Sequence, residues 1–96
     1  MTYLKARWDE ARAGLYSVRG CSWWFFEFCP DGAINRQVEV YDSGVRLRYG
    51  RNHLGDEFGK LGEGRLQDME IRAAEELSAE QFEVVWESVE TNGRVH

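Results

Sequence analysis

The feature that most constrains the fold is the run Ser22-Trp23-Trp24-Phe25-Phe26-Glu27-Phe28, which puts five aromatic rings, four of them consecutive, into a chain of 96 residues. Along a strand, successive side chains point to opposite faces of the sheet. Trp24, Phe26 and Phe28 therefore share one face, and Trp23 and Phe25 share the other with Glu27. A sheet covered by one helix buries only one of these sets. The pair Trp23 and Phe25 then needs a second cover, either the glycine-rich segment 50–64 or a partner, because an exposed apolar pair of this size marks an interface.

At 43% hydrophobic and 30% charged residues the chain fits one domain over residues 1–96, burying roughly 60–65% of its unfolded surface. Its longest apolar stretch, Trp23 to Phe26, falls far short of the ~20 residues that cross a bilayer. No basic-then-apolar leader opens the sequence, so the expected compartment is the cytoplasm and no membrane partner is expected.

The net charge of -5 is unevenly divided: residues 1–62 carry nine Lys/Arg against eight Asp/Glu, and residues 63–96 carry three against nine. A nucleic-acid binder carries a basic stripe that neutralises phosphates, so the acidic final third argues against that partner and for a basic protein surface. The two cysteines, Cys21 and Cys29, flank the aromatic run. On one strand their separation is roughly 26 Å at ~3.3 Å per residue, whereas a disulfide needs Cα atoms within about 7 Å. Free thiols are therefore expected, and with no CxxC or neighbouring histidine no metal and no cofactor are expected.

Thr2–Trp8 alternates Leu4, Ala6 and Trp8 with Tyr3, Lys5 and Arg7, the period of a strand. Residues 9–13 read as a loop or single helical turn, and Leu15–Val18 as the start of a further strand. Pro30-Asp31-Gly32 is a turn in which proline presets one backbone angle and glycine accepts positive φ. Beyond it Ile34, Val38 and Val40 alternate with Asn35, Gln37, Glu39 and Tyr41, and Arg36 is the one polar residue on the apolar side. After the turn Asp42-Ser43-Gly44, Val45, Leu47 and Tyr49 alternate with Arg46 and Arg48. Segment 50–64 holds five of the ten glycines, with Leu54, Phe58 and Leu61 available to pin it down. Residues 66–76 read as a short helix.

Ser78 is placed to cap a final helix, with Gln81 as its reciprocal partner three residues on. Phe82, Val85, Trp86 and Val89 then recur at helical spacing, while Glu80, Glu83, Glu87 and Glu90 fall mainly on the other side. The fold class expected is α+β: an antiparallel sheet of four or five strands over residues 2–49, with a C-terminal amphipathic helix packed on one face.

Chemistry-bearing clusters are few. His53, Asp56 and Glu57 form the one set that could serve acid-base work or ligand binding, and no nucleophile in a catalytic setting stands beside them. No catalytic residue is assigned, and an enzyme is not expected. Arg36, Arg46 and Arg48 on adjacent strands, with Tyr41 or Tyr49, would suit a single-strand nucleic-acid platform; cross-strand pairing with Glu39 and its neighbours explains them more simply.

Four stretches, Tyr3–Trp8, Gln37–Gly44, Phe58–Glu63 and Ser78–Trp86, resemble a family of short bacterial proteins classed only as a domain of unknown function. The resemblance spans nearly the whole chain, rests on structural motifs and implies fold more than function. Members of that type carry fewer aromatics before the middle strand and lack the Cys-Pro-Asp-Gly turn. Small acidic single-domain proteins of this kind look like immunity proteins encoded beside secreted toxins. The resemblance therefore implies a toxin-neutralising binding protein, monomer or homodimer, whose partner is a basic toxin domain. The residues expected at that interface are Trp23, Phe25, Glu80, Glu83, Glu87 and Glu90, with His53, Asp56 and Glu57 as the alternative loop site.

Overall fold

A computed structural model of the chain describes residues 1–8, 21–68, 74–90 and 92. The elements in chain order are strands β1 (Thr2–Trp8), β2 (Ser22–Phe28), β3 (Ile34–Tyr41) and β4 (Arg46–Tyr49), the two-residue strands β5 (Gly55–Asp56) and β6 (Gly59–Lys60), a 3-10 turn at Leu66–Asp68, strand β7 (Glu75–Glu76) and helix α1 (Ala79–Glu87). The main sheet is antiparallel in the order β4-β3-β2-β1-β7, and β5 pairs with β6 separately. This is the expected α+β class.

Two details differ from the sequence reading. The fifth strand comes from Glu75–Glu76, which pairs with Leu4 and Lys5, rather than from residues before 49. The short helix expected over 66–76 is, among the described residues, one 3-10 turn followed by that strand. The readings of residues 9–13 and of Leu15–Val18 lie outside the described residues.

The aromatic run occupies the middle of the sheet, paired along its whole length with β1 on one side and β3 on the other. Both of its faces are covered, and the covers are the reverse of those expected. Helix α1 lies over the face of Phe25, where Val38, Phe82 and Val89 are buried with Tyr3, Val40, Val85 and Trp86 packed around them. The segment after β4 lies over the other face, where Phe26, Phe28, Ile34, Tyr41, Leu47, Tyr49 and Leu61 form the larger cluster, with Phe58 and Leu66 against it. Neither the 50–64 segment nor a partner is needed above Phe25. A strand buried on both faces reads as a continuous apolar run instead of an alternating one, which accounts for four consecutive aromatics.

A β-bulge sets the register at one end. Glu27 pairs with Arg36 but Phe28 pairs with Ile34, so Asn35 is the extra residue. The bulge moves Ile34 off the face of Val38 and Val40 and into the cluster of Phe28. Gln37, Glu39 and Tyr41, which strict alternation assigns to a polar face, are instead 1%, 1% and 2% exposed beneath the second cover.

The cover is fixed by backbone as well as by side chains. Leu61 N–H donates to Leu54 O (2.8 Å), and Gly62 N–H donates to Gln37 Oε1 (2.9 Å). A Cβ on Gly62 would stand 2.9 Å from Ile34 Cδ1, so any larger residue there would have to displace the buried Ile34 side chain. Leu61 is buried and Phe58 half-buried, but Leu54, expected to pin the segment with them, is 58% exposed. At the Pro30–Gly32 turn Gly32 has φ of 91°, the left-handed region glycine tolerates. Its carbonyl accepts Leu66 N–H at 2.8 Å, which fastens the far end of the cover to the hairpin.

Helix α1 starts where the capping pattern predicts. Ser78 Oγ accepts Gln81 N–H (3.1 Å) and Gln81 Oε1 accepts Ser78 N–H (2.9 Å), the reciprocal capping box. Its last turn carries no basic residue of its own. Arg48 from β4 supplies the cation that the C-terminal end of a helix dipole favours, donating from Nη1 to Trp86 O at 3.0 Å.

Candidate functional site

The charged centre of the helix-covered face is built from the register. Glu27 and Arg36 are direct cross-strand partners, and Arg36 binds both Glu27 oxygens, from Nε at 2.8 Å and from Nη2 at 2.7 Å. Nη2 also binds Glu83 of α1, and Asn35 Nδ2 donates to Glu27 Oε1 at 2.6 Å. Hydrogen bonding from Arg36, opposed by burial and reinforced by Asn35 and Tyr3, lowers the Glu27 carboxyl from 4.5 to about 2. The Arg36 guanidinium, bonded to Glu27 and then to Glu83, is held above its ordinary value. It also lies 5.0 Å from the ring centroids of Phe82 and of Trp86, so the ion pair is bedded on the aromatic wall of the helix.

The interface residues expected from sequence therefore divide. Phe25 is packed beneath α1, and Glu83 is committed to Arg36. Trp23 is half-buried beyond the helix, with Lys5 Nζ 5.3 Å and Arg7 Cζ 5.6 Å from its ring, and those cations pair with Glu75 and Asp42. Trp23 and Phe25 thus form no joint exposed pair. Glu80, Glu87 and Glu90 are exposed and make no ion pair among the described residues. Between Glu80 and Glu87, on the same helix face, stands Val84 at 71% exposure.

The loop cluster is partly assembled. His53 Nε2 lies 2.8 Å from Asp56 Oδ2, and the His53 and Tyr49 rings stack 5.8 Å apart at 5°. Burial opposes ionisation of Asp56, but hydrogen bonds from His53, Asn92, the Phe58 amide and the Tyr49 hydroxyl outweigh it and hold the carboxyl well below its ordinary range. Glu57 is exposed and takes no part. Among the described residues no group of three or more His, Cys, Asp or Glu could hold a metal ion, and neither cysteine forms a disulfide.

Asn92, which no periodicity singled out, joins this cluster to the sheet edge. Its Oδ1 accepts Arg48 N–H at 2.8 Å, and its Nδ2 donates to Arg48 O at 3.0 Å and to Asp56 Oδ2 at 2.9 Å. One amide thereby occupies the outward backbone groups of Arg48 on an edge strand, groups that otherwise invite pairing with another chain. The arginines considered for nucleic acid are dispersed: Arg36 to carboxylates, Arg48 to the helix end and Arg46 to Ser88 Oγ at 3.0 Å.

Two open grooves result. One, about 570 Å³, runs between β4, residues 50–53 and the end of α1, and is lined by Arg36, Arg48, Arg51, His53, Trp86 and Glu90 among others. The other, about 800 Å³, lies on the opposite face beside Trp24, Gln37, Glu39, Asp56 and Lys60. Among the described residues that line the first there is no serine, threonine or cysteine. No helix among the described residues is long and apolar enough to cross a membrane. No protein-family model matches the chain, and no curated protein or solved structure matches it either.

Proposed function

We propose that this chain is a small stoichiometric binding protein, most concretely an immunity protein that neutralises a toxin by one-to-one contact with a basic surface. The observation that carries the reading is the outer face of α1, where Val84 is 71% exposed between Glu80 and Glu87. Among the described residues those carboxylates make no ion pair, whereas Glu83, one turn along the helix from each, is committed to Arg36. Carboxylates set the encounter rate and choice of a basic partner, and an apolar side chain among them supplies a desolvated anchor.

The test is recovery of the tagged full chain from its native cells, followed by native mass spectrometry. The reading predicts a one-to-one complex with a basic polypeptide that weakens with salt, is lost with Val84→Asp and is weakened by Glu80→Gln with Glu87→Gln. A complex indifferent to all three substitutions would remove α1 from the interface.

A second reading, a small enzyme or ligand-binding domain, is favoured by one observation, the 2.8 Å pairing of His53 with Asp56. It predicts that His53→Ala abolishes an activity or ligand response in a chain that still melts cooperatively. Retention of the response would end it.

A further inference from the structure

We infer that the groove between β4, residues 50–53 and the end of α1 binds the phosphate group of a small phosphorylated compound. The inference starts from the charges that face this groove. Arg36 is neutralised by Glu27 and Glu83, and His53 is paired with Asp56. Arg48 and Arg51 have no carboxylate within 4.0 Å among the described residues. Among the described residues the one carboxylate that lines the groove is the exposed Glu90. Among the described residues, two guanidinium groups of an acidic protein thus line one concavity without a paired carboxylate.

Their donors are open and partly fixed. Arg48 donates to Trp86 O through Nη1, its Cζ lies 4.9 Å from the Trp86 ring centroid, and Asn92 clasps its backbone. Arg51 makes two long bonds, 3.4 Å to Asn35 Oδ1 and 3.3 Å to Ile34 O, which a stronger acceptor would displace. Each guanidinium has five N–H donors in a planar fork that matches the oxygens of a phosphate, and stacking on an aromatic ring limits the side-chain freedom lost on binding. The groove, about 570 Å³, exceeds what phosphate alone fills and falls within the range of small-molecule sites, roughly 300–1,000 Å³. Trp86 is the one large apolar side chain among the described residues that line the groove, so the ligand's organic body is assigned to its side of the site.

Calorimetric titration of the full chain with phenyl phosphate, and separately with inorganic phosphate, tests this against sodium chloride of equal ionic strength. Phenyl phosphate should bind saturably, with inorganic phosphate competing more weakly; the reverse order would leave no role for Trp86 and overturn the assignment of the organic body. Arg51→Gln, an exposed change that spares the core, should weaken binding about tenfold. Glu90→Gln should tighten it about two- to threefold by removing the opposing charge. The inference is overturned by no saturable heat above the chloride control, by unchanged binding in Arg51→Gln, or by oligonucleotide binding that grows with length and resists displacement by phenyl phosphate.

Discussion

The two faces of the central sheet are sealed by opposite means. On one, a regular helix packs a small apolar cluster around a charged centre, Glu27–Arg36–Glu83. On the other, an irregular glycine-rich segment closes over a larger apolar cluster in which the buried Glu39 accepts Gln37 Nε2 at 2.9 Å and Tyr41 OH at 2.5 Å. Between its ends a helix satisfies its own backbone and brings side chains to the sheet, and here the end carbonyl of Trp86 is met by Arg48. An irregular segment must find partners for its backbone, and here Gln37 supplies one, accepting Gly62 N–H. Gln37 on β3 is therefore buried as a partner for a cover that lacks regular structure.

The largest effect should come from the charged centre. Arg36→Ala leaves Glu27, 3% exposed, as a buried carboxylate without its cation and should cost about 3–5 kcal/mol in urea unfolding. The same centre predicts the acid response. Because the folded Glu27 carboxyl is lowered to about 2 from 4.5, its contribution is complete above the unfolded value and is lost as pH falls from 4.5 toward about 2. Glu27→Gln should flatten the unfolding midpoint over that window; an unchanged acid slope would show that other carboxylates govern it.

The second face is tested by Leu61→Ala, which removes the buried anchor of the irregular cover and should cost about 2–5 kcal/mol. A cost near zero would mean that the segment rests loosely on the sheet, and the two faces would then differ in strength as well as in kind. A smaller effect is expected where the two covers meet. Asn92→Asp would put a carboxylate against Asp56 and the Arg48 carbonyl, in place of the amide donor that now bonds both. Unfolding should be easier by about 1–3 kcal/mol, less so at low pH.

What the sequence disclosed follows the same division. Helix α1 was legible to its first residue, because Ser78, Gln81 and the spacing of Phe82, Val85, Trp86 and Val89 are local signals. Strands β1 to β4 were legible from side-chain pattern and from their turns, whereas the two-residue strands β5, β6 and β7 were not. The bulge was not, since one extra residue at Asn35 inverts the face of Ile34 without changing composition. Gln37, Glu39 and Tyr41 read as the polar phase of β3 yet are buried: polarity reports a preference for partners, and Gln37 finds two of its own in a segment without periodicity, Lys60 O and Gly62 N–H. The charged centre did leave a trace, in that Glu27 and Arg36 interrupt apolar phases on neighbouring strands. Asn92 left none, because its role depends on meeting Arg48 and Asp56 across more than thirty residues.

The claim that the irregular segment is a structural equal of the helix is tested most directly by native-state hydrogen exchange. The Leu61 and Gly62 amides, bonded to Leu54 O and Gln37 Oε1, should exchange only through global unfolding, with the same free energy as the amides of Trp24 to Glu27. Exchange of Leu61 and Gly62 by local opening, orders of magnitude faster than β2, would contradict it and return the face of Phe26 and Phe28 to the position of a surface awaiting a partner.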